Sequence, residues 1–270
     1  MTLGQQKAGL LLSTQSSDGI LHLTLNDPIR CNALSEAMLE ALGEAFDAAS
    51  DNPDVRVIIL AAAGPVFCAG HDLKEMTAGR QNVDRGRAYF SKILHQCSSV
   101  MQKIVTCPKP VIAQIDGVAT AAGCQLVASC DLAVASEIAQ FCTPGVHIGL
   151  FCSTPMVALS RNLANKHAME MLLTGDMVSA SRAAEIGVVN QVVPSDELSS
   201  ASMAFAKKIA EKSSLTVATG KRAFYQQKEM NLADAYIYAA EVMVANMLAR
   251  DAEEGIAAFI EKRPPEWRDE

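Results

Sequence analysis

The chain has 270 residues, of which 50% are hydrophobic, and a formal net charge of -7 at pH 7. A chain of this length and hydrophobicity can bury a substantial core, which excludes intrinsic disorder. Its acidic balance argues against a broad nucleic-acid or anionic-membrane surface. No apolar run reaches the roughly 18 residues of a membrane span. An anionic ligand would therefore have to be bound by local groups.

Cysteine spacing is typical of reduced thiols rather than of a disulfide framework or a zinc site. The eight cysteines form no C-x-x-C pair, and most lie within apolar runs: Cys31, Cys68, Cys97, Cys107, Cys124, Cys130, Cys142 and Cys152. The sequence therefore predicts buried, reduced cysteines and no metal site.

The first part of the chain predicts two strands followed by a helix. Apolar residues at 10–13 and 20–25 form the strand patterns. A helical pattern then begins at Ser35, a residue type favoured at helix N-termini, and ends at Asn52, which precedes a proline.

Four further apolar runs predict a parallel sheet. Near-continuous β-branched residues occupy 55–60 and 110–115, with a helical pattern over 85–105 between them, and similar strands follow at 132–135 and 188–193. Strands that are buried on both faces and separated by helices form parallel βαβ units. The predicted fold class is therefore α/β.

The C-terminal part of the chain changes to a helical pattern. This change divides the sequence into a predicted core at 1–195 and a helical region at 196–270. Apolar residues in the helical region, such as Met243, Met247 and Phe259, must pack on the core or on another subunit.

Two glycine-bearing loops, at 67–75 and 117–125, each follow an apolar strand and precede a helix. The first amides of a helix lack intrahelical partners and carry positive partial charge. If the two loops converge, their amides can bind one carbonyl oxygen from two sides. The sequence therefore predicts an oxyanion hole.

Motifs along nearly the whole chain resemble those of the enoyl-CoA hydratase/isomerase, or crotonase, superfamily. They lie in the family's order at 32–35, 67–76, 115–119, 130–133, 139–141, 173–176 and 254–259. The resemblance implies a crotonase-like spiral of ββα units with a C-terminal helical region that supports trimerisation. It also implies a coenzyme A thioester as ligand, no other cofactor, a homotrimer or hexamer, and a mitochondrial matrix location, although residues 1–7 contain no Arg-rich presequence.

The same resemblance implies the binding residues. In the family, two backbone amides donate to the thioester carbonyl, and the corresponding positions here are His71 and Ala122. The residues expected to contact the substrate are His71, Asp72, Leu73, Lys74, Ala122 and Gly123. Lys74 either binds phosphates of coenzyme A or lies in solvent, whereas Arg30 and Lys221 are expected to be solvated.

The acids that catalyse water addition in the family are missing. Gln125 and Gly145 occupy the positions of the two glutamates of the hydratases, and Ser153 occupies the position where some hydrolases and dehalogenases have an aspartate. Neither an amide nor a hydrogen atom transfers protons as a carboxylate does. Loss of hydratase activity is therefore expected.

Several residues are weak candidates to replace these acids. The rings of His71 and His147 either transfer protons or have structural roles. Gln125 either orients water or an acyl group, or is a structural polar residue. Cysteine nucleophiles at Cys68, Cys124 or Cys152 are less expected than cysteines that pack in the core.

Three functions follow from these alternatives. The first, which we favour, is an acyl-CoA-binding protein of lipid metabolism that lacks hydratase activity. The second is an enzyme that uses an atypical acid or base to isomerise, hydrolyse or decarboxylate a CoA thioester. The third is a structural subunit of a mixed oligomer, which would not need the predicted oxyanion hole.

Overall fold

The computed structural model describes residues 9–270 and shows ten strands among helices. Residues 1–8, which include the segment without an Arg-rich presequence pattern, lie outside the described residues. The strands are β1 (Leu11–Gln15), β2 (Ile20–Leu25), β3 (Val57–Ala62), β4 (Val66–Cys68), β5 (Val111–Ile115), β6 (Val118–Thr120), β7 (Leu132–Ser136), β8 (Gln140–Cys142), β9 (Val178–Ser179) and β10 (Gln191–Val193).

Eleven α-helices occur in the same part of the chain. They are α1 (Glu36–Asp51), α2 (Leu73–Gly79), α3 (Arg87–Thr106), α4 (Ala122–Ser129), α5 (Ser153–Asn162), α6 (Asn165–Thr174), α7 (Ala180–Ile186), α8 (Leu198–Ala210), α9 (Ser214–Gln227), α10 (Leu232–Met247) and α11 (Arg250–Glu261). The side chain of Ser35 caps α1 by accepting a hydrogen bond from the Met38 amide, as its position at the start of the helical pattern predicts.

The larger sheet has six strands in the order β1-β2-β3-β5-β7-β10. Only β1 is antiparallel to its neighbour, and the other four pairs are parallel. This arrangement confirms the predicted parallel α/β core. A second sheet has four strands in the order β4-β6-β8-β9. In the sequence, β4, β6 and β8 each come directly after a strand of the first sheet.

The two sheets arise from a repeated unit. Three times in succession, a strand of the first sheet is followed by a short strand of the second sheet and then by helix: β3-β4-α2, β5-β6-α4 and β7-β8-α5. The repeat is the predicted spiral of ββα units. Because β4 and β6 pair in parallel, the segments that follow them leave the sheet at the same edge.

The structure differs from the sequence prediction in the strands of the second sheet and at the last strand. Strands of two or three residues are too short to show a periodic pattern in the sequence. The segments at 67–75 and 117–125 were therefore predicted as loops, although β4 and β6 overlap them. The strand predicted at 188–193 begins only at Gln191. Gly187 ends α7 at φ 90°, and the Val188 amide donates back to the Ala183 carbonyl at 2.8 Å instead of joining the sheet.

The helical region covers one face of the larger sheet. Helix α8 packs against buried residues such as Ile20, Val57 and Ile59 in a second hydrophobic cluster, opposite the main core. Helix α10 contacts α9 and α11. No residue of α10 is buried, and its exposed apolar side chains include Tyr236, Ile237 and Met243.

A buried ion pair attaches α9 to the core. Lys221 Nζ lies 2.6 Å from Asp131 Oδ2, and the Tyr225 hydroxyl donates to Asp131 Oδ1 at 2.9 Å. The Lys221 side chain is only 7% exposed, so the expectation that it is solvated was wrong. Its partner Asp131 stands 90 residues away in the sequence, which is why the local pattern did not reveal the pair.

No single helix between residues 9 and 270 has both the length and the apolar composition needed to cross a membrane. Helices α10 and α11 meet that test only when taken together, and they bend by 72° at their junction.

Candidate active site

The two glycine-bearing loops are in contact. Gly70 has φ 85°, and a Cβ atom at this position would lie 3.0 Å from the Ala121 Cβ and 3.2 Å from the Ala122 amide nitrogen. The Thr120 hydroxyl also donates to the Ala69 carbonyl at 3.1 Å. The structure therefore brings together the two loops in which the sequence predicts an oxyanion hole.

Close approach of the two backbones also requires Gly123. A Cβ atom at this position would overlap the Cys68 carbonyl oxygen and lie 2.8 Å from the Cys68 carbonyl carbon. Cys68 is the last residue of β4 and Gly123 the second of α4. Glycine allows the start of α4 to pack directly on the end of β4.

The amides of His71 and Ala122 are both unpaired. Within residues 9–270, neither N–H has a hydrogen-bond acceptor. The Lys74 and Glu75 amides, further into α2, are occupied, because they donate to the Asp72 carboxylate at 2.8 and 3.2 Å. Two free donors on loops in contact, one of them at the positive end of α4, are suited to bind a carbonyl oxygen or an oxyanion.

A strained residue directs the Ala122 amide. Ala121 has φ 50° and ψ -117°, a conformation that residues other than glycine rarely adopt. Its own amide is held by the Cys142 carbonyl at 2.9 Å, in the next segment of the second sheet. The surrounding structure therefore maintains a conformation in which the following amide is free.

The other residues of the first loop have different environments. The Asp72 side chain caps α2 and lies 3.2 Å from Arg30, so both charges are compensated within the protein. Leu73 and Lys74 are exposed beside the loop and available to a ligand. Arg30 is 40% exposed and paired, rather than freely solvated as expected.

The ring nitrogens of His71 are buried, although the residue as a whole is only half-buried. Within the described residues, neither ring nitrogen accepts or donates a hydrogen bond. Burial lowers the pKa of this imidazole, because the charged form loses its hydration. The ring is therefore neutral near pH 7.

The segment of Gly145 and His147 has no acid and little space for one. A Cβ atom at Gly145 would lie 2.9 Å from the Cys152 Sγ and 3.0 Å from the Leu150 carbonyl oxygen. His147 is exposed, with its Nε2 2.8 Å from the Thr174 carbonyl oxygen, which gives the ring a structural contact. Ser153 is also exposed, and its hydroxyl donates to the Phe151 carbonyl at 3.3 Å.

The cysteines near the site are buried thiols. Burial raises the pKa of Cys68 and of Cys124 to about 12, and it also raises the pKa of Cys152. A thiol with a raised pKa is a poor nucleophile at neutral pH. These environments favour packing roles over acyl transfer. Cys31 differs from the expected pattern because it is exposed.

A pocket of about 420 Å³ lies beside Gln125. Its walls are formed by four helices, α3, α4, α5 and α9. The helices far from α4 in the sequence contribute lining residues such as Met101, Thr154, Val157 and Tyr225. The sequence gives no sign of these residues, since they come from three separate helices, α3, α5 and α9, and none carries a motif. Gln125 itself is 4% exposed, and its Oε1 has no partner among the described residues.

Within residues 9–270, no group of three or more His, Cys, Asp or Glu side chains is arranged to hold a metal ion. The polar groups of the candidate site are backbone amides, a neutral imidazole and an amide side chain.

Comparison with known proteins identifies the family. The sequence model of the enoyl-CoA hydratase/isomerase family matches residues 15–270. The chain belongs to this family. Its relatives include the mitochondrial enoyl-CoA hydratase domain-containing protein 3 of Rattus norvegicus, which is 47% identical over 264 residues, covering 98% of this chain and 86% of the relative. That mitochondrial name supports the predicted location by resemblance.

Solved structures confirm the crotonase-like fold. A crystal structure of an enoyl-CoA hydratase from Mycobacterium smegmatis matches with a TM-score of 0.92 and 50% identity, covering 96% of this chain and 99% of the other. The crystal structure of human enoyl-CoA hydratase domain-containing protein 3 matches with a TM-score of 0.90 and 46% identity, covering 96% and 100%.

Replacing Gly123 tests the contact between the loops. We expect Gly123→Ala to lower the free energy of unfolding by at least about 2 kcal/mol, because its methyl group would overlap the Cys68 backbone. Gly220→Ala in α9 is the matched control: a Cβ there meets no atom within 4 Å, and alanine favours the helix by about 1 kcal/mol. Urea unfolding of both variants measures the difference, and equal stabilities would refute the contact.

The buried His71 ring predicts a pH dependence of stability. Below about pH 6.5 the unfolded chain protonates this histidine more readily than the folded protein does, because burial lowers the folded pKa. Stability should therefore fall with decreasing pH, by up to about 1.4 kcal/mol per pH unit for this group. We expect His71→Gln to reduce that slope. The slope is obtained from the free energy of unfolding, measured at steps of about half a pH unit between about pH 7.5 and about pH 5. An unchanged slope would contradict the burial of a neutral ring.

Proposed function

We propose that this protein binds acyl-CoA thioesters and that the amides of His71 and Ala122 donate hydrogen bonds to the thioester carbonyl. The observation that carries the proposal is the pair of unpaired amides on two loops in contact. A purely structural subunit would not need two backbone donors kept free, since unpaired donors destabilise a fold. We propose that Asp72, Leu73 and Gly123 contact the ligand and that Lys74, which is exposed, binds a phosphate of coenzyme A.

We further propose that the protein does not hydrate enoyl-CoA efficiently. Water addition needs one group to activate water and another to protonate the α-carbon, and each contributes about 10² to 10⁴ in rate. Gln125 provides an amide, and Gly145 provides no side chain and is crowded by Cys152 and Leu150. A carbonyl can therefore be polarised here without the acids that complete hydration.

The setting that we propose is lipid metabolism in the mitochondrial matrix, with the chain assembled as a homotrimer or hexamer. The location rests on the names of the relatives. Assembly is supported by the apolar side chains left exposed on the last two helices, which include Ile237, Met243, Val244, Phe259 and Ile260. An apolar surface of this extent marks an interface with another protein chain.

Removal of one amide donor tests the binding mode. Proline lacks an N–H and is tolerated at the first position of a helix, which Ala122 occupies in α4. We expect Ala122→Pro to weaken binding of butanoyl-CoA by about tenfold, through loss of one hydrogen bond to the carbonyl. Calorimetry measures the affinity, and free coenzyme A, which has no thioester carbonyl, is the ligand control. Equal weakening of both ligands would mean that the amide does not contact the carbonyl.

Crotonyl-CoA hydration tests the missing acids. We expect a rate at least about 10²-fold below that of a family hydratase that carries both glutamates, assayed in parallel. The loss of crotonyl-CoA absorbance on hydration follows the reaction. A rate within about tenfold of that hydratase would mean that other groups supply both proton transfers.

The buried His71 ring favours a second candidate function, an enzyme that acts on a CoA thioester with this imidazole as the proton-transferring group. A neutral ring with two free nitrogens, next to a free amide of the proposed oxyanion hole, can accept or donate a proton. A screen of enoyl, β-hydroxyacyl and malonyl-type thioesters distinguishes the two candidates. Turnover that is abolished in His71→Gln, with thioester affinity retained, would establish the second.

A further inference from the structure

The first strand of the larger sheet has an open edge. β1 stands at the end of that sheet and pairs with β2 in uninterrupted antiparallel register from Leu11 to Gln15. Edge strands of soluble proteins are usually very short, bulged, or protected by lysine or proline, because their unpaired backbone groups pair readily with other chains. β1 has five regular residues and neither lysine nor proline, whereas β10 at the opposite edge has only three residues. β1 can therefore accept a further strand.

Alternate residues of β1 direct their backbone groups away from β2. Next to the turn between the two strands, the Ser16 amide donates to the Ile20 carbonyl at 2.9 Å. In an antiparallel pair, residues bonded to the partner strand alternate with residues that are not, so the even-numbered residues of β1 bond to β2. The N–H and C=O groups of Leu11, Ser13 and Gln15 therefore face outward. Within residues 9–270 these groups have no hydrogen-bond partner.

The same three residues line a groove between β1 and α1. Its volume is about 470 Å³, within the range of about 300 to 1,000 Å³ of ligand-binding clefts. The apolar part of the lining comes mainly from β2, α1 and the residue that follows α1 by a short turn: Leu21, Leu23, Ala45, Ala48, Ala49 and Val55. A strand added at the edge of β1 would place every second side chain on the face of the sheet where this groove lies.

Carboxylates lie along one side of the groove. Glu44 belongs to its lining, and Glu40 and Asp51, at positions i-4 and i+7 from Glu44, lie on the same side of α1. All three are exposed, and none forms an ion pair in the part of the chain that the structure describes. The described lining contains no lysine or arginine. The charge of the groove is therefore complementary to that of a cationic partner.

We propose that the groove beside β1 is a docking site for an extended basic segment of another protein, which joins the sheet as an additional strand. The outward backbone groups of β1 pair with the backbone of the segment, and the groove receives its alternate side chains. The carboxylates on α1 attract its cations. None of the lining residues belongs to the loops at 67–75 and 117–125, so this docking does not depend on acyl-CoA binding.

A second copy of this chain fits the groove less well than a basic segment does. Two β1 strands paired antiparallel would be related by a two-fold axis perpendicular to the joined sheet, which places both α1 helices on the same face beside the junction. Their unpaired carboxylates would then repel one another across it. The net charge of -7 adds to this repulsion.

A labelled peptide of about eight residues, in which valine alternates with lysine, tests the docking site with the full chain. At low ionic strength we expect it to bind at least about tenfold more tightly than a peptide that alternates valine with glutamate. Ser13→Lys places a cation in the groove and should weaken binding at least about tenfold. Thr14→Lys is the matched control, because it adds the same charge to the opposite face of β1, and both positions are exposed. It should change the affinity by less than about threefold. Fluorescence anisotropy measures all four affinities.

Hydrogen exchange measured by mass spectrometry tests the backbone pairing. We expect saturation with the valine-lysine peptide to slow exchange at residues 11–15, because outward amides become bonded. Absence of binding, equal binding of the two peptides, binding retained in Ser13→Lys or unchanged exchange would each overturn the proposal. Slow exchange in the free protein would also overturn it. If that slow exchange increased with protein concentration, a second copy would be the occupant, and if it were independent of concentration, the occupant would be residues 1–8.

Discussion

The close contact between the start of α4 and the end of β4 is the constraint on which the candidate site depends. Gly123 lies against the Cys68 backbone, at a distance that no residue with a Cβ allows. Parallel pairing of β4 with β6 sets the spacing between the two chain segments, and glycine at position 123 allows their backbones to come into contact. His71 and Ala122, whose amides are unpaired, are close in sequence to the two residues of this contact, Cys68 and Gly123.

The same constraint explains why so much of the site is backbone. Every residue of α4 is buried, so the helix has little room for large or charged side chains. An amide N–H directed by the fold requires no such space, and the strained Ala121 keeps it available. Carbonyl polarisation can therefore persist while the side chains that perform chemistry change. At Gln125 and Gly145 this chain has an amide and no side chain, and the Cys152 Sγ and Leu150 carbonyl oxygen crowd the space beside Gly145.

The sequence was informative wherever the signal was local. The strand at 20–25 has the observed bounds, and Ser35 caps the helix that it was expected to begin. The sequence was uninformative where a structural feature depends on residues that are far apart in the chain. The strands of the second sheet are too short to show periodicity, and the strand expected at 188–193 is shortened by a hydrogen bond to α7. Lys221 was expected in solvent because its partner, Asp131, is far away in the sequence.

The sequence by itself determined the family, the α/β class and the two glycine-bearing loops, because each depends on contiguous residues or on a series of ordered motifs. Only the tertiary structure decided that the loops touch, that the amides of His71 and Ala122 are free and that four helices form a pocket lined in part by Gln125. Each of these is a relation between segments that are distant in the chain, and burial, crowding and unpaired hydrogen-bonding groups exist only once those segments are packed together.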